Sequence, residues 1–285
     1  MKLLRYGNIG EEKPGIVDEQ GRLRDLSAHV ADIDGSMLGA NSLAKLNQLD
    51  VQQLPLVSGT PRIGACVNRI GKFICIGLNF ADHAAETQSK IPRQPIVFMK
   101  ATTAVCGPND FIIKPPNSTK LDWEVELAIV IGKDGAYIEE HNADDYIAGY
   151  CLCNDVSERA FQLEMGGQWV KGKSCDTFGP LGPWLVTKDE INDLANLDMQ
   201  LSVNGQIFQQ SSTANMIFSP RYLVSYLSQF MRLQAGDVIS TGTPAGVGLG
   251  QKPPVYLKHG DELKLFISGL GEQQQKVVDY HRLSP

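Results

Sequence analysis

The residues best suited to chemistry in this chain are acidic ones set on an apolar background. The stretch Leu121–Ile131 reads LDWEVELAIVI. Trp123, Val125, Leu127, Ile129 and Ile131 alternate along one face. Asp122, Glu124 and Glu126 occupy the other, which turns apolar at Ala128 and Val130. Side chains two apart share a strand face, so Glu124 and Glu126 are expected side by side. Neighbouring carboxylates near a sheet core repel each other and resist desolvation unless a cation compensates them. Asp155 closes a second apolar run, Tyr146–Cys153, from which it can point back toward the pair. Three oxygen donors without a clustered His or Cys suit a hard divalent cation, Mg²⁺ or Mn²⁺, with water or substrate completing the shell. A solvated half-strand would show the same spacing, and the residues alone leave both readings open.

Other polar groups are spaced for supporting roles. In Asn79-Phe80-Ala81-Asp82-His83-Ala84-Ala85-Glu86, a helix starting near Phe80 puts His83 and Glu86 on one side. A carboxylate beside an imidazole fixes its tautomer and raises its basicity, so the pair can take a proton from water. An exposed polar helix face has the same pattern. Lys171 and Lys173 flank Gly172 just after Trp169; a lysine near a bound anion stabilises developing negative charge, although at least one is expected to be merely solvated. Arg159 and Gln162, one helical turn apart beyond Asp155, are placed to grip a carboxylate. The loop Thr241–Gly250, TGTPAGVGLG, lacks the Gly-Lys-Ser/Thr ending and the following helix of a phosphate loop. Its backbone N–H groups can approach an anion closely, or it is simply a tight turn. Nothing resembles a nucleophile elbow.

To position these groups the chain offers mostly strands. They are expected at Phe73–Gly77, Ile96–Met99, Leu121–Ile131, Tyr146–Cys153, Leu197–Val203, Gln206–Gln210, Asp237–Thr241, Glu262–Ser268 and Gln273–Asp279. Asn204-Gly205 marks a tight hairpin, and Gly269-Leu270-Gly271 joins the last two strands. Helices are expected at Asp82–Ser89, Glu158–Met165 and Pro220–Phe230, the last with an apolar stripe of Tyr222, Leu223, Tyr226, Leu227 and Phe230. Residues 1–70 read as a small N-terminal domain of short strands and glycine turns with a helix candidate at Ser42–Leu49; residues 71–285 carry the chemistry. The fold class expected is mixed α+β and β-rich.

Composition narrows the partners. At 42% hydrophobic and 20% charged, the 285 residues suit a soluble globular protein. A formal charge of −6 without a basic run argues against nucleic acid. No apolar stretch approaches a membrane span, and MKLLRYGNIGEEKPG has no signal-peptide core, so a cytoplasmic protein is expected. Cys66, Cys75, Cys106, Cys151, Cys153 and Cys175 form no C-x-x-C pair, which disfavours zinc and fits a reducing compartment.

Taken in order, IGLNFADHAAE, PIVFMKATTAVCGPND, LDWEVELAIVIGK, GYCLCNDVSER, QWVKGKSCDTFGPLGPWLV, LSVNGQIFQQSSTANMIFSP and GDVISTGTPAGVG resemble the fumarylacetoacetate hydrolase family. The resemblance implies a rolled β-sheet catalytic domain with a small N-terminal domain, usually assembled as a homodimer. It implies a metal triad of Glu124, Glu126 and Asp155 holding Mg²⁺ or Mn²⁺, and a water-activating pair of His83 and Glu86 in a lid, Phe80–Arg93. It places the catalytic lysine on Lys173 rather than Lys171, whose position is often apolar in relatives, and substrate contacts on Arg159, Gln162 and Thr243. The implied substrate is a small keto acid. The leading expectation is hydrolysis of a C–C bond in an acylpyruvate or diketo-deoxy-sugar acid through a metal-stabilised enolate. Ureidoglycolate lyase, oxaloacetate decarboxylase and hydroxymuconate-type isomerase activities are alternatives, and an inactive metal- or acid-binding module is one of another class. MKLLRYG, EEKPGIVD and GRLRDLS look like the branch that includes diketo-deoxy-fuconate hydrolases and proteins labelled ureidoglycolate lyase.

Overall fold

A strand that is apolar on both faces needs cover on both sides of its sheet. Val125–Ile131 is such a strand, buried along its whole length in the computed structural model, which describes residues 1–281. It lies inside a nine-stranded sheet. The spatial order is Leu23–Asp25, Lys13–Val17, Lys2–Tyr6, Leu185–Thr187, Ile147–Asn154, Val125–Ile131, Val238–Ser240, Phe73–Gly77 and Ile96–Lys100. Within this sheet, only Val238–Ser240 and Phe73–Gly77 pair in parallel. A second sheet runs Gln206–Ser212, Asp198–Val203, Glu262–Ile267, Gly271–Asp279 and Ile112–Lys114.

The two-residue alternation sorts the central strands' side chains into two cores. Leu127, Ile129 and Leu152 share one core with Met199, Leu201, Leu263 and Leu265 of the second sheet. Ala128, Val130, Cys151 and Val238 share the other with Leu3, Ile16, Leu26, Ile33 and Leu38 of the N-terminal segment. Lys2–Tyr6 pairs with Leu185–Thr187. The strands of residues 1–70 therefore extend the main sheet, and the segment covers one of its faces.

Most expected elements appear with ends shifted by a few residues, and two differ in kind. Leu121–Ile131 is two strands: Leu121–Asp122 pairs with Ser157–Glu158, and Val125–Ile131 pairs with Ile147–Asn154, leaving Trp123 and Glu124 between them. The expected helix Glu158–Met165 is a single π-helical turn, Ala160–Glu164. Such turns recur at functional sites because they displace side chains from α-helical spacing. Asn204 and Gly205, at φ 51° and 80°, make the hairpin that their types demand. Pro220–Ser228 begins at Ser219, whose side chain accepts from the Tyr222 N–H. No helix among the described residues is long and apolar enough to cross a membrane.

Candidate active site

Glu124, Glu126 and Asp155 are all buried, with one carboxylate oxygen from each within 4.8 Å of the others. The strand break creates this meeting. At Glu124 the chain leaves its ladder, and two side-chain amides take over as acceptors: Asn154 Oδ1 for the Glu124 N–H at 3.2 Å, and Gln209 Oε1 for the Val125 N–H at 2.9 Å. The Asp155 N–H donates to the Glu124 carbonyl at 3.0 Å, tying two carboxylate-bearing residues directly together. Glu126 Oε2 is held by Ser240 Oγ at 2.5 Å and the Gly242 N–H at 2.9 Å.

Three cations surround this cluster. Lys173 Nζ lies 2.6 Å from Glu124 Oε2 and 2.8 Å from Asp155 Oδ2. Arg159 bridges Asp122 at 2.8 Å and Glu124 at 2.7 Å. Lys100 Nζ stands 2.5 Å from Asp155 Oδ1, yet its hydrogen bonds go to the carbonyls of Val156 and Lys173. Asp155 Oδ1 itself accepts no hydrogen bond. Burial alone would raise Glu124, but Lys173 and Arg159 overcome it and hold the carboxyl down to about 2. Glu126 has the opposite balance: burial, then Asp155 and Glu124, push it well above the usual carboxylate range. Burial disfavours the Lys173 ammonium, and Asp155 and Glu124 more than restore it. Three carboxylates meeting in a buried cluster, one of them a glutamate that its neighbours leave uncompensated, fit a hard divalent cation.

Across the cavity sits the helix Ala81–Glu86. His83 Nδ1 is 3.1 Å from Glu86 Oε2, so the carboxylate holds the proton on Nδ1 and leaves Nε2 as the basic nitrogen. Glu86 Oε1 accepts from the Gly246 N–H at 2.9 Å, and Asp82 Oδ2 from Ser211 Oγ at 2.6 Å. The expected lid segment is thus docked on the glycine-rich loop. That loop is anchored in turn by Asp122, which accepts from the N–H groups of Gly248 at 2.6 Å and Leu249 at 2.9 Å.

Lys173 reaches the triad because Gly172 lets the helix Val170–Lys173 lie against the π-turn. A Cβ there would stand 2.4 Å from the Glu158 carbonyl and 2.6 Å from the Gln162 backbone. Lys171, on the opposite side, is exposed and bonds the Met165 carbonyl. Arg159 Nη1 donates to Gln162 Oε1 at 3.0 Å. The Thr243 hydroxyl serves the scaffold, donating to the Val125 carbonyl at 2.9 Å and accepting from Gln209 at 2.8 Å. His83, Glu124, Glu126, Arg159, Gln162, Lys173 and Thr243 line one cavity, whereas Glu86 and Asp155 act from just behind its wall. A larger concavity of about 930 Å³ lies between the N-terminal segment and residues 102–113, and its Arg5, Arg62, Glu12 and Asp110 are paired with each other or with Asp32.

Sequence reasoning overlooked Lys100, Asn154, Gln209 and Ser240, and gave Asp122 no role. A lysine closing the apolar strand IVFMK was a usable signal for Lys100. Gln209 carried none, because its partner lies 84 residues away in the chain.

The profile described as fumarylacetoacetate (FAA) hydrolase C-terminal matches residues 72–278. The chain belongs to the fumarylacetoacetate hydrolase family. A Burkholderia multivorans relative, whose name proposes a hydrolase without naming a substrate, is 59% identical over 96% of this chain and 98% of its own. The fumarylacetoacetate hydrolase of Exiguobacterium antarcticum superposes with a TM-score of 0.86 at 35% identity, covering 98% of this chain and 100% of that one. A Mycobacterium smegmatis 5-carboxymethyl-2-hydroxymuconate delta-isomerase gives 0.76 at 30% identity, covering 99% and 100%. A Sphingobium maleylpyruvate hydrolase, solved with manganese(II) and pyruvate, gives 0.82 at 27% identity with the same coverage. The family contains both hydrolases and isomerases, and this chain is an enzyme of that family with a buried acidic cluster able to hold a metal.

Proposed function

We propose that the chain is a Mg²⁺- or Mn²⁺-dependent, cytoplasmic hydrolase of a C–C bond in a 2,4-diketo acid. The observation that carries this reading is the single cavity in which His83 faces Glu124, Glu126 and Lys173. Bound by Glu124, Glu126 and Asp155, the ion would supply Lewis-acid polarisation of the 2-oxo acid.

The chain's own groups account for the remaining steps. Arg159 and Gln162 orient the substrate carboxylate. His83 Nε2 takes a proton from water, with Glu86 stabilising the imidazolium through Nδ1. The water oxygen adds to the distal carbonyl carbon. The bond from that carbon to the methylene then breaks, and its electron pair stays on the methylene as the pyruvate enolate. Lys173 stabilises the enolate charge, and the proton held by His83 returns to the methylene carbon. The products are pyruvate and a carboxylic acid.

Isomerisation is the second reading. It shares the enolate and has a relative in the Mycobacterium smegmatis isomerase. The manganese and pyruvate in the Sphingobium relative support the hydrolase reading, because pyruvate is the product expected from an acylpyruvate. An inactive module would have no reason to keep a lysine and a His–Glu pair aimed at one cavity. Purified protein supplied with acylpyruvates, oxaloacetate, ureidoglycolate and a hydroxymuconate should release pyruvate fastest from an acylpyruvate, and only with Mg²⁺ or Mn²⁺ present. Isomerisation of the muconate without pyruvate release from any acylpyruvate would reverse the order.

We also propose a homodimer. Ile96–Lys100 is the last strand of the main sheet, and Val97 on it is 37% exposed. Beside it Phe218, Tyr222, Tyr226 and Phe230 form a partly exposed aromatic ladder, linked to the strand's approach by Tyr226 and Gln94.

A further inference from the structure

Asp122 stands at the strand break beside the acidic cluster, yet it does not line the cavity. It is fully buried, and its hydrogen bonds go to groups that shape the site. Oδ1 accepts the N–H groups of Trp123 at 2.8 Å and Gly248 at 2.6 Å. Oδ2 accepts that of Leu249 at 2.9 Å and Arg159 Nε at 2.8 Å. One carboxylate thus fastens a cavity-lining cation and a cavity-lining loop to the same point.

On the cation, the effect is directional. A guanidinium is a rigid planar fork, so fixing Nε fixes where Nη1 and Nη2 lie. Nη1 meets Gln162 Oε1 at 3.0 Å, and Nη2 meets Glu124 Oε1 at 2.7 Å. Arg159 and Gln162 are thereby presented together to the cavity that both line.

On the loop, the effect reaches the base. The Gly246 N–H donates to Glu86 Oε1 at 2.9 Å, and a Cβ on Gly250 would stand 2.5 Å from Glu86 Cδ. Glu86 therefore rests on two of the loop's glycines while its other oxygen orients His83. Trp123, fully buried next to Asp122, donates through Nε1 to the Gly246 carbonyl at 3.1 Å. The strand break holds the loop at Gly246, Gly248 and Leu249.

We propose that Asp122 is a positioning residue that joins the grip on the substrate carboxylate to the docking of the His83–Glu86 helix. Through Arg159 it acts on binding, and through the loop it acts on the base. The first arm rests on the role given to Arg159 above; the second stands on the contacts of the loop.

Asp122→Ala removes all four bonds. Should it fail to fold, Asp122→Asn keeps the size of the side chain and loses its charge, and takes the same measurements. Calorimetric binding of pyruvate to the Mn²⁺-loaded protein should weaken at least about tenfold, as for the loss of one charged hydrogen bond. Arg159→Lys keeps the charge without the fork and should weaken binding too. The double variant should bind no more weakly than the worse single one, whereas additive losses overturn the proposal. Wild-type affinity in the Asp122 variant alone also overturns it. Wild-type affinity in Arg159→Lys sinks the carboxylate grip and this proposal together.

Trypsin reads the second arm without turnover. Lys90 and Arg93 are exposed and follow the helix in the chain, and Arg69 is an exposed reference before it. The Asp122 variant should be cut faster after Lys90 and Arg93, with cleavage after Arg69 at its wild-type rate. Equal acceleration at all three sites, or none at Lys90 and Arg93, overturns the docking role.

Discussion

Lys100 bears on the site without touching the cavity. It is 3% exposed and reaches Asp155 Oδ1 while bonding two backbone carbonyls. Removing one partner of a buried ion pair leaves the other uncompensated, typically at a cost of about 3–5 kcal/mol. Lys100→Met should therefore lower folding stability by an amount of that order, measured by urea unfolding of the metal-free protein. A loss below about 1 kcal/mol would mean that Lys173, on Oδ2, suffices by itself to compensate Asp155. The carboxylates themselves were legible at this scale, because acidic residues at a two-residue spacing in an apolar strand must meet either a cation or solvent. Their cations were not. Arg159 meets Asp122 across 37 residues and Lys173 meets Glu124 across 49, and no local pattern encodes such distances.

The elements show the same division. The nearly continuous apolar runs in VELAIVI and IAGYCLCN marked two buried strands correctly, since burial on both faces removes the polar alternation. The break at Trp123–Glu124 was hidden because the compensating acceptors, Asn154 and Gln209, come from other strands. The N-terminal hairpin has a local clamp of its own. Asp18 accepts from the N–H groups of Gln20 and Arg22 and pairs with the guanidiniums of Arg22 and Arg24. Burial alone would raise its pKa, but the Arg22 N–H and the two guanidiniums lower it from 3.8 to about 2. A folded-state value below the unfolded one stabilises above the unfolded pKa, and that contribution fades as pH falls through the folded value. Asp18→Asn should thus unfold at lower urea than wild type at pH 7, with the gap closing between about pH 4 and pH 2. A gap that stays constant over that range would assign the clamp to hydrogen bonding alone.

For the whole molecule, the main sheet serves as a shared floor: residues 1–70 cover one face and the second sheet the other. Sedimentation equilibrium should give twice the 31.2 kDa chain mass if the Ile96–Lys100 edge and its aromatic ladder meet a second copy. Phe230→Asp, at a side chain 66% exposed, should then shift the mass toward the monomer, and a wild-type monomer would remove the dimer proposal. The central claim is that Glu124, Glu126 and Asp155 hold the ion on which turnover depends while His83 supplies the base. It is tested most directly by counting bound Mn²⁺ by electron paramagnetic resonance alongside acylpyruvate turnover, in wild type, Glu126→Ala and His83→Ala. The account predicts one ion per wild-type chain, loss of both binding and turnover in Glu126→Ala, and full binding in His83→Ala with turnover down about 10²–10⁴-fold. Undiminished turnover in metal-stripped wild type, or tight Mn²⁺ binding that survives Glu126→Ala, would contradict it.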